Sequence, residues 1–192
     1  MKWGVAFEKA MELKIALAQG CERVEIVGSV KRHDKDECHD IEILCIPDSR
    51  TPRPEFGNPK VFKNRLEKVI ADMQYLELIG QAAKNGEKYK KFQILKTGEV
   101  NTFYLDLFIV RHDTWAIQNV IRTGPAEFSH RFVTNKAFGG LLPDRYKYIA
   151  GETKIQELGG NGILDLKEET DAIELLGFGW IPPMNRREYI NR

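Results

Sequence analysis

The sequence has little of several features that would narrow its class at once. No apolar run approaches the roughly 20 residues that a membrane-spanning helix needs. The first twenty residues carry Glu8 and Glu12 and lack the apolar core of a secretion signal. The three cysteines, at positions 21, 38 and 45, match no zinc spacing. We therefore expect no membrane span, reduced thiols and a protein of the cytoplasm, of a cell or of a virus-infected host, that is not secreted.

The net charge is also close to zero, because the 29 Lys and Arg residues are almost balanced by 28 Asp and Glu residues, which gives +1 at pH 7. This balance does not favour a nucleic-acid binder, although it is compatible with one basic face. Candidate phosphate contacts are the lysines of residues 84–91, Lys60, Lys63, Arg186 and Arg187. The simpler interpretation is that these side chains are solvated. The length of 192 residues allows one domain or two small ones.

Residues 24–47, VEIVGSVKRHDKDECHDIEILCIP, predict a strand, a glycine turn, a charged segment and a second strand. In the second strand Asp40 and Glu42 alternate with Ile41 and Ile43, so the two acids project from one face. Acids on one face repel each other, and a divalent metal would relieve that repulsion. A half-exposed edge strand whose acids face water gives the same pattern.

The glycine turn favours a metal site over an edge strand whose acids face water. Gly28 and Ser29 directly follow the first strand. Backbone N–H groups of such a turn bind phosphate, and a hydroxyl adds a further donor. A phosphate site together with paired carboxylates is the minimum that nucleotidyl transfer requires.

A third acid, Asp106, lies within the apolar segment FYLDLFIV. A lone carboxylate in a buried strand is costly unless it is paired or bound to metal. The structural alternative is an ion pair with an arginine such as Arg32 or Arg111. Three acids on adjacent strands favour two metal ions.

The remaining patterns predict an α+β protein with domains at 1–112 and 113–192. For the first domain they predict a helix at 5–18, strands at 24–27 and 40–46, a loop at 48–59, a helix at 61–73, a strand-like piece at 75–79, and a hairpin of 92–95 and 103–110 with its turn at 97–99. For the second they predict helices at 113–122, 126–138 and 171–176 and a hairpin of 146–149 and 154–158. Gly124-Pro125 is a place where a cis peptide bond is cheap.

Four segments together resemble DNA polymerase family X. GSVKRH followed by HDIEIL is similar to its nucleotidyltransferase signature, FYLDLF to the strand of its third carboxylate, RTGPAEF to its TGS or TGP turn, and DAIELLGFGWIPPMNRRE to its C-terminal motif. The segments follow in the family's order over nearly the whole chain. The resemblance implies a palm of mixed β-sheet with helices on one face, and then a small α+β nucleotide-binding subdomain, as in short viral members.

The resemblance also implies roles for single residues. Asp40, Glu42 and Asp106 would be catalytic and hold two Mg²⁺ ions, with Mn²⁺ possible. Gly28 and Ser29 would contact the β and γ phosphates, with Arg32 adding positive charge. Thr123 and Gly124 would line the sugar and base end, and Ser129 would face the incoming base. The implied partners are a dNTP and primed or gapped DNA, bound by a monomer.

The chain departs from the family pattern at four places. Glu42 replaces the usual Asp, which moves the carboxylate outward by roughly 1.5 Å and bears on metal preference. His39 replaces a small residue. Ile121 and Arg122 replace an aromatic pair that helps to reject ribonucleotides. Pro125 replaces Ser, as in the short members.

Three functions are compatible with these patterns. The first is a minimal gap-filling DNA polymerase. The second keeps the nucleotidyltransferase chemistry without a template, or with an acceptor other than DNA. The third is a nucleotide or nucleic-acid binding module without catalysis.

Overall fold

The computed structural model describes residues 1–50, 62–95, 102–160 and 162–190. The predicted loop at 48–59 lies outside these residues from position 51 onward, as does the predicted turn at 97–99. The predicted α+β class is confirmed by a five-stranded mixed sheet with helices and a second, three-stranded sheet.

The chain divides into two units. The first comprises Met1–Ile26 and Lys35–Val110, and the second comprises Val27–Asp34 and Arg111–Arg192. The predicted domains are contiguous, whereas the contacts group Val27–Asp34 with the C-terminal part of the chain.

The first unit is built on the five-stranded sheet. Its elements are α1 (Trp3–Ala18), β1 (Cys21–Val27), β2 (Asp40–Pro47), α3 (Arg65–Tyr75), β3 (Ile79–Asn85), β4 (Tyr89–Ile94) and β5 (Phe103–Ile109). The last residue of β1 and the short helix α2 (Gly28–Arg32), which follows β1 in the chain, belong to the second unit. The strand order is β1-β2-β5-β4-β3; β2 and β5 run parallel, and β5–β4 and β4–β3 are antiparallel.

The core of the first unit lies between this sheet and its two longer helices. Helix α1 packs on β2 and on α3, and α3 packs on β3. Their buried side chains recur at helical spacing, as in Leu13 and Leu17 of α1. Ile41 and Ile43 of β2 are almost fully buried, as their alternation with the acids predicts.

The secondary structure of the first unit differs from the prediction at two places. The predicted strand at 75–79 is wrong, because α3 continues to Tyr75 and β3 begins at Ile79. Tyr75 and Leu76 are apolar but exposed, at 87% and 59%, so their hydrophobicity indicates no buried strand. Strands β3 and β4 occupy much of the polar stretch 81–91, where mostly exposed side chains give no alternation to detect.

The second unit has its own apolar core around Phe128, Phe132 and Ile173. After α2 its elements are α4 (Trp115–Thr123), α5 (Ala126–Phe132), the antiparallel strands β6 (Tyr146–Ile149), β7 (Lys154–Glu157) and β8 (Gly162–Ile163), α6 (Glu169–Glu174), and a C-terminal 3₁₀ helix, Pro183–Tyr189.

The turn between α4 and α5 contains a cis Gly124–Pro125 peptide bond, at the predicted place. The predicted helix at 126–138 is too long, since α5 ends at Phe132 and a separate 3₁₀ turn covers Lys136–Phe138. The carbonyl oxygens of Arg131 and Thr134 accept hydrogen bonds from Leu141 and Leu142, which draws the chain out of the helix. In the described part of the chain, no helix combines the length and apolarity that crossing a membrane requires.

Candidate functional site

The carboxylate face, which we define as Asp40, Glu42 and Asp106, lies on one side of the large sheet. Glu42 and Asp106 are direct partners across the parallel pair β2–β5, and Asp40 is opposite Tyr104. Neighbouring strands are about 4.8 Å apart, and residues two apart on a strand share a face. The register therefore places all three acids on adjacent positions of one face.

Asp106 is held by two side chains from β4. The Tyr89 hydroxyl donates to Oδ1 of Asp106 at 2.6 Å. The Lys91 ammonium lies 3.1 Å from Oδ1 and 3.3 Å from Oδ2. Lys91 is the direct cross-strand partner of Asp106, and Asp106 is 8% exposed. The cation beside this buried carboxylate is thus a lysine rather than an arginine.

All three acids of the carboxylate face affect the pKa of Tyr89. Burial, the hydrogen bond to Asp106 and the negative charges of Asp106, Asp40 and Glu42 raise the pKa of Tyr89 to about 12. The phenol therefore stays protonated at neutral pH and remains a donor. Its ring stacks on Phe108 with the centroids 5.3 Å apart, which fixes the direction of the hydroxyl.

The donor chemistry of this face fits a hard divalent cation, because carboxylate oxygens are the ligands that Mg²⁺ and Mn²⁺ take. Within the described residues, no three His, Cys, Asp or Glu side chains are grouped closely enough to hold one ion as they are placed. Tyr89 and Lys91 occupy part of the acceptor capacity of Asp106, so a metal at this carboxylate would compete with the Lys91 ammonium for its oxygens.

In the second unit, the residues that the resemblance assigns to phosphate lie together. Gly28 begins α2 directly after β1 with φ of 66°, a conformation that favours glycine. Ser29 follows and is half-buried. At the end of α2, Nη1 of Arg32 donates to the carbonyl oxygen of Thr123 at 2.5 Å. Arg32, Thr123 and Gly124 therefore form one local group.

Gly124 occupies a backbone conformation with φ 69° and ψ −154°, which is almost restricted to glycine. A Cβ at this position would lie 3.1 Å from Nη1 of Arg32 and 3.3 Å from the backbone nitrogen of Ala126. The turn thus requires glycine both for its backbone and for the approach of the guanidinium.

We expect Gly124→Ala to destabilise the protein by about 3 kcal/mol and to displace Arg32 from Thr123. Gly139→Ala is the matched control, because Gly139 also has positive φ, 80°, but no atom near its would-be Cβ. That variant should lose about 1 kcal/mol. Urea unfolding of both variants measures the difference, and equal losses would show that neither the glycine-only backbone conformation of Gly124 nor its contact with Arg32 contributes to stability.

Ser129 lies in the first turns of α5, directly after this turn, and its hydroxyl hydrogen-bonds to the backbone. Its hydroxyl is 2.8 Å from the carbonyl oxygen of Ile121 and 3.2 Å from that of Pro125. The residue is 8% exposed. The hydrogen bond ties α5 to the end of α4, so Ser129 serves the turn in this arrangement.

Sequence reasoning missed a buried ionic group, the Glu169 cluster, which we define as Lys31, Glu169 and Arg186. Lys31 contacts Glu169 at 2.9 Å and donates to Asn119, and Nη2 of Arg186 contacts Glu169 at 2.7 Å. Arg186 is fully buried. Glu169 comes from KEETD, a charged run that is typical of an exposed surface, so the sequence carries no signal for its burial.

Burial alone would raise the pKa of Glu169, but the charges of Arg186 and Lys31 outweigh it and lower that pKa below its ordinary value. Burial lowers the pKa of Arg186, and the charge of Glu169 opposes this. Glu169 therefore remains ionised and holds two cations, one of them on α2.

A second ionic group, the Asp34 cluster, consists of Arg32, Asp34 and Arg187. Nε of Arg187 donates to Asp34 at 2.7 Å, and Nε of Arg32 lies 3.2 Å from the same oxygen without hydrogen-bond geometry. Burial would raise the pKa of Asp34, but the hydrogen bond from Arg187 and the charge of Arg32 lower it.

The two clusters together contain four cations and two carboxylates, and they share helix α2. Counted together, the two clusters therefore carry two more positive than negative charges. Nε of Arg32 and Nη1 of Arg186 are buried and have no hydrogen-bond partner among the described residues. Oδ1 of Asp34 is likewise buried without a hydrogen-bond partner among these residues, so the two clusters hold unsatisfied donors and an unsatisfied acceptor.

No protein-family model matches the chain, and no curated protein is significantly similar to it. Any functional assignment therefore depends on the residues and on their geometry within each unit.

Proposed function

We propose that the chain is a metal-dependent nucleotidyltransferase that adds deoxynucleotides to a primer 3′-hydroxyl on primed or gapped DNA. The observation that carries the proposal is the register of β2 and β5, which pairs Glu42 with Asp106 and keeps Asp40 on the same face. The order of the four motifs that resemble DNA polymerase family X supports the choice of substrate.

In this proposal Asp40, Glu42 and Asp106 hold Mg²⁺ or Mn²⁺. Such ions lower the pKa of an attacking hydroxyl and neutralise charge on the transferred phosphate. The contribution of the chain is orientation. The hydroxyl of Tyr89 fixes one oxygen of Asp106, and the paired strands fix the spacing between Glu42 and Asp106.

For the second unit, taken by itself, we propose phosphate binding. Gly28 and Ser29 offer N–H and hydroxyl donors, and the Arg32 guanidinium offers a planar set of donors that suits phosphate oxygens. The carbonyl of Thr123 and the carboxylate of Asp34 orient Arg32. Glu169 orients Lys31, so both cations of α2 are held by neighbouring residues.

Primer extension on gapped DNA tests the proposal. Each of the four dNTPs is offered singly, with Mg²⁺ or Mn²⁺, on four substrates that differ in the templating base. We expect addition that depends on metal and follows the template. Addition regardless of the template would support an untemplated transferase instead. Absence of addition with both metals, in protein shown to be folded, would contradict the proposed chemistry, and nucleotide binding indifferent to Mg²⁺ would then indicate a binding module.

A further inference from the structure

Lys91 is placed on the carboxylate face by the sheet itself. It is the cross-strand partner of Asp106 in the antiparallel pair β4–β5. Its ammonium lies within 3.3 Å of both oxygens of Asp106 and 4.8 Å from the centre of the Tyr104 ring. Direct cross-strand pairs of opposite charge stabilise a sheet, and this one also brings a positive charge to a face that carries three acids.

The ammonium is held less firmly than the carboxylate that it contacts. The side chain of Lys91 is 27% exposed and that of Asp106 is 11% exposed. Lysine carries its charge on a flexible four-carbon chain, which lets the ammonium move into water without a change in the strands. Asp106 has no such freedom, because Tyr89 also holds its Oδ1.

We propose that Lys91 is a resident counter-ion of the carboxylate face, and that a divalent metal binds Asp106 only by displacing the Lys91 ammonium. This inference rests on the proposed metal site and concerns its regulation. An ammonium 3.1 Å from Oδ1 occupies the space of a metal ligand bond and repels a second cation. Lys91 therefore sets the metal concentration at which the face is loaded, and it offsets one of the three negative charges when metal is scarce.

Removing this competitor strengthens metal binding. We expect Lys91→Met, which keeps a slightly shorter unbranched side chain and removes its charge, to bind Mn²⁺ about tenfold more tightly than the unaltered protein. The affinity is measured without nucleotide or DNA, from the paramagnetic resonance signal of free Mn²⁺ during a titration.

Lys84→Met is the matched control for charge acting through space. Lys84 is the cross-strand neighbour of Lys91 in β3, and its ammonium lies 5.7 Å from the Tyr89 ring. Its removal changes the net charge equally without removing the contact to Asp106. We expect its Mn²⁺ affinity to change less than about twofold, since an exposed charge without a direct contact to Asp106 acts on it only weakly through water.

Thermal unfolding gives a readout that is independent of any activity. Without metal, Lys91→Met should melt at a lower temperature than the unaltered protein, because Asp106 loses the ammonium that lies beside both of its oxygens. Saturating Mn²⁺ should then stabilise the variant more than the unaltered protein. Lys91→Gln repeats both measurements if Lys91→Met does not fold.

The outcomes separate this inference from the proposed function. If Asp106→Asn weakens Mn²⁺ binding but Lys91→Met binds no more tightly than the unaltered protein or than Lys84→Met, the counter-ion role is wrong and the metal site stands. If neither the unaltered protein nor either Lys91 variant binds Mn²⁺, the metal site itself is wrong, and the inference is overturned with it.

Discussion

Replacing Asp106 with Asn is expected to lower nucleotide addition by at least about a thousandfold while the protein stays folded. A metal ligand contributes several kcal/mol to transition-state stabilisation, and each 1.36 kcal/mol corresponds to a factor of ten in rate. The fold should survive because an amide oxygen can still accept from Tyr89, and because Lys91, 27% exposed, can turn its charge to water. Single-turnover primer extension, with circular dichroism as the check on folding, measures the effect.

Asp72→Asn is the matched control for this substitution. Asp72 lies on α3 in an ion pair with Lys68 and has an exposed side chain. It should keep full activity. If Asp106→Asn added nucleotides at a rate within tenfold of that of Asp72→Asn, Asp106 would not be required for catalysis.

Replacing Glu169 with Ala is expected to produce the largest loss of stability, about 3–5 kcal/mol, because the change leaves two cations without their carboxylate. One of these cations, Arg186, is fully buried, and the other, Lys31, is 19% exposed. Urea unfolding at about pH 7 measures the free-energy change.

The same substitution has a pH signature. The pKa of Glu169 is lowered in the folded protein from its ordinary value of 4.5. Its stabilising contribution is therefore complete above that value and is lost as the pH falls through the lower, folded-state pKa. The difference between Glu169→Ala and the unaltered protein should shrink at about pH 3, whereas Glu174→Ala, at an exposed position of α6, should cost little at either pH. A loss below about 1 kcal/mol at neutral pH would contradict the role assigned to the Glu169 cluster.

The carboxylate face shows how far the sequence alone reaches. Alternation with Ile41 and Ile43 predicts that Asp40 and Glu42 share a face, and an apolar strand singles out Asp106. The register that pairs Asp106 with Glu42 and with Lys91 cannot be predicted from these patterns, because it depends on strand order and on hydrogen bonding between distant segments. For the same reason, the sequence does not distinguish Lys91 from the other lysines of the polar stretch 84–91.

Buried charge is the other feature that local patterns do not reveal. Lys31 and Arg186 lie within the motifs GSVKRH and MNRRE, yet nothing in those motifs indicates a common partner. Glu169 is buried because cations from α2 and the C-terminal 3₁₀ helix surround it, a consequence of tertiary packing. The chain leaves α5 at Phe132 for a related reason, since the competing hydrogen bonds come from Leu141 and Leu142 further along the chain.

Diffraction from crystals soaked in millimolar Mn²⁺ tests most directly whether Asp40, Glu42 and Asp106 share a cation. The proposed function predicts an anomalous peak within about 2.5 Å of oxygen atoms from all three side chains, with the Lys91 ammonium withdrawn from Asp106. A peak bound by other residues alone, or none at the carboxylate face, would contradict it.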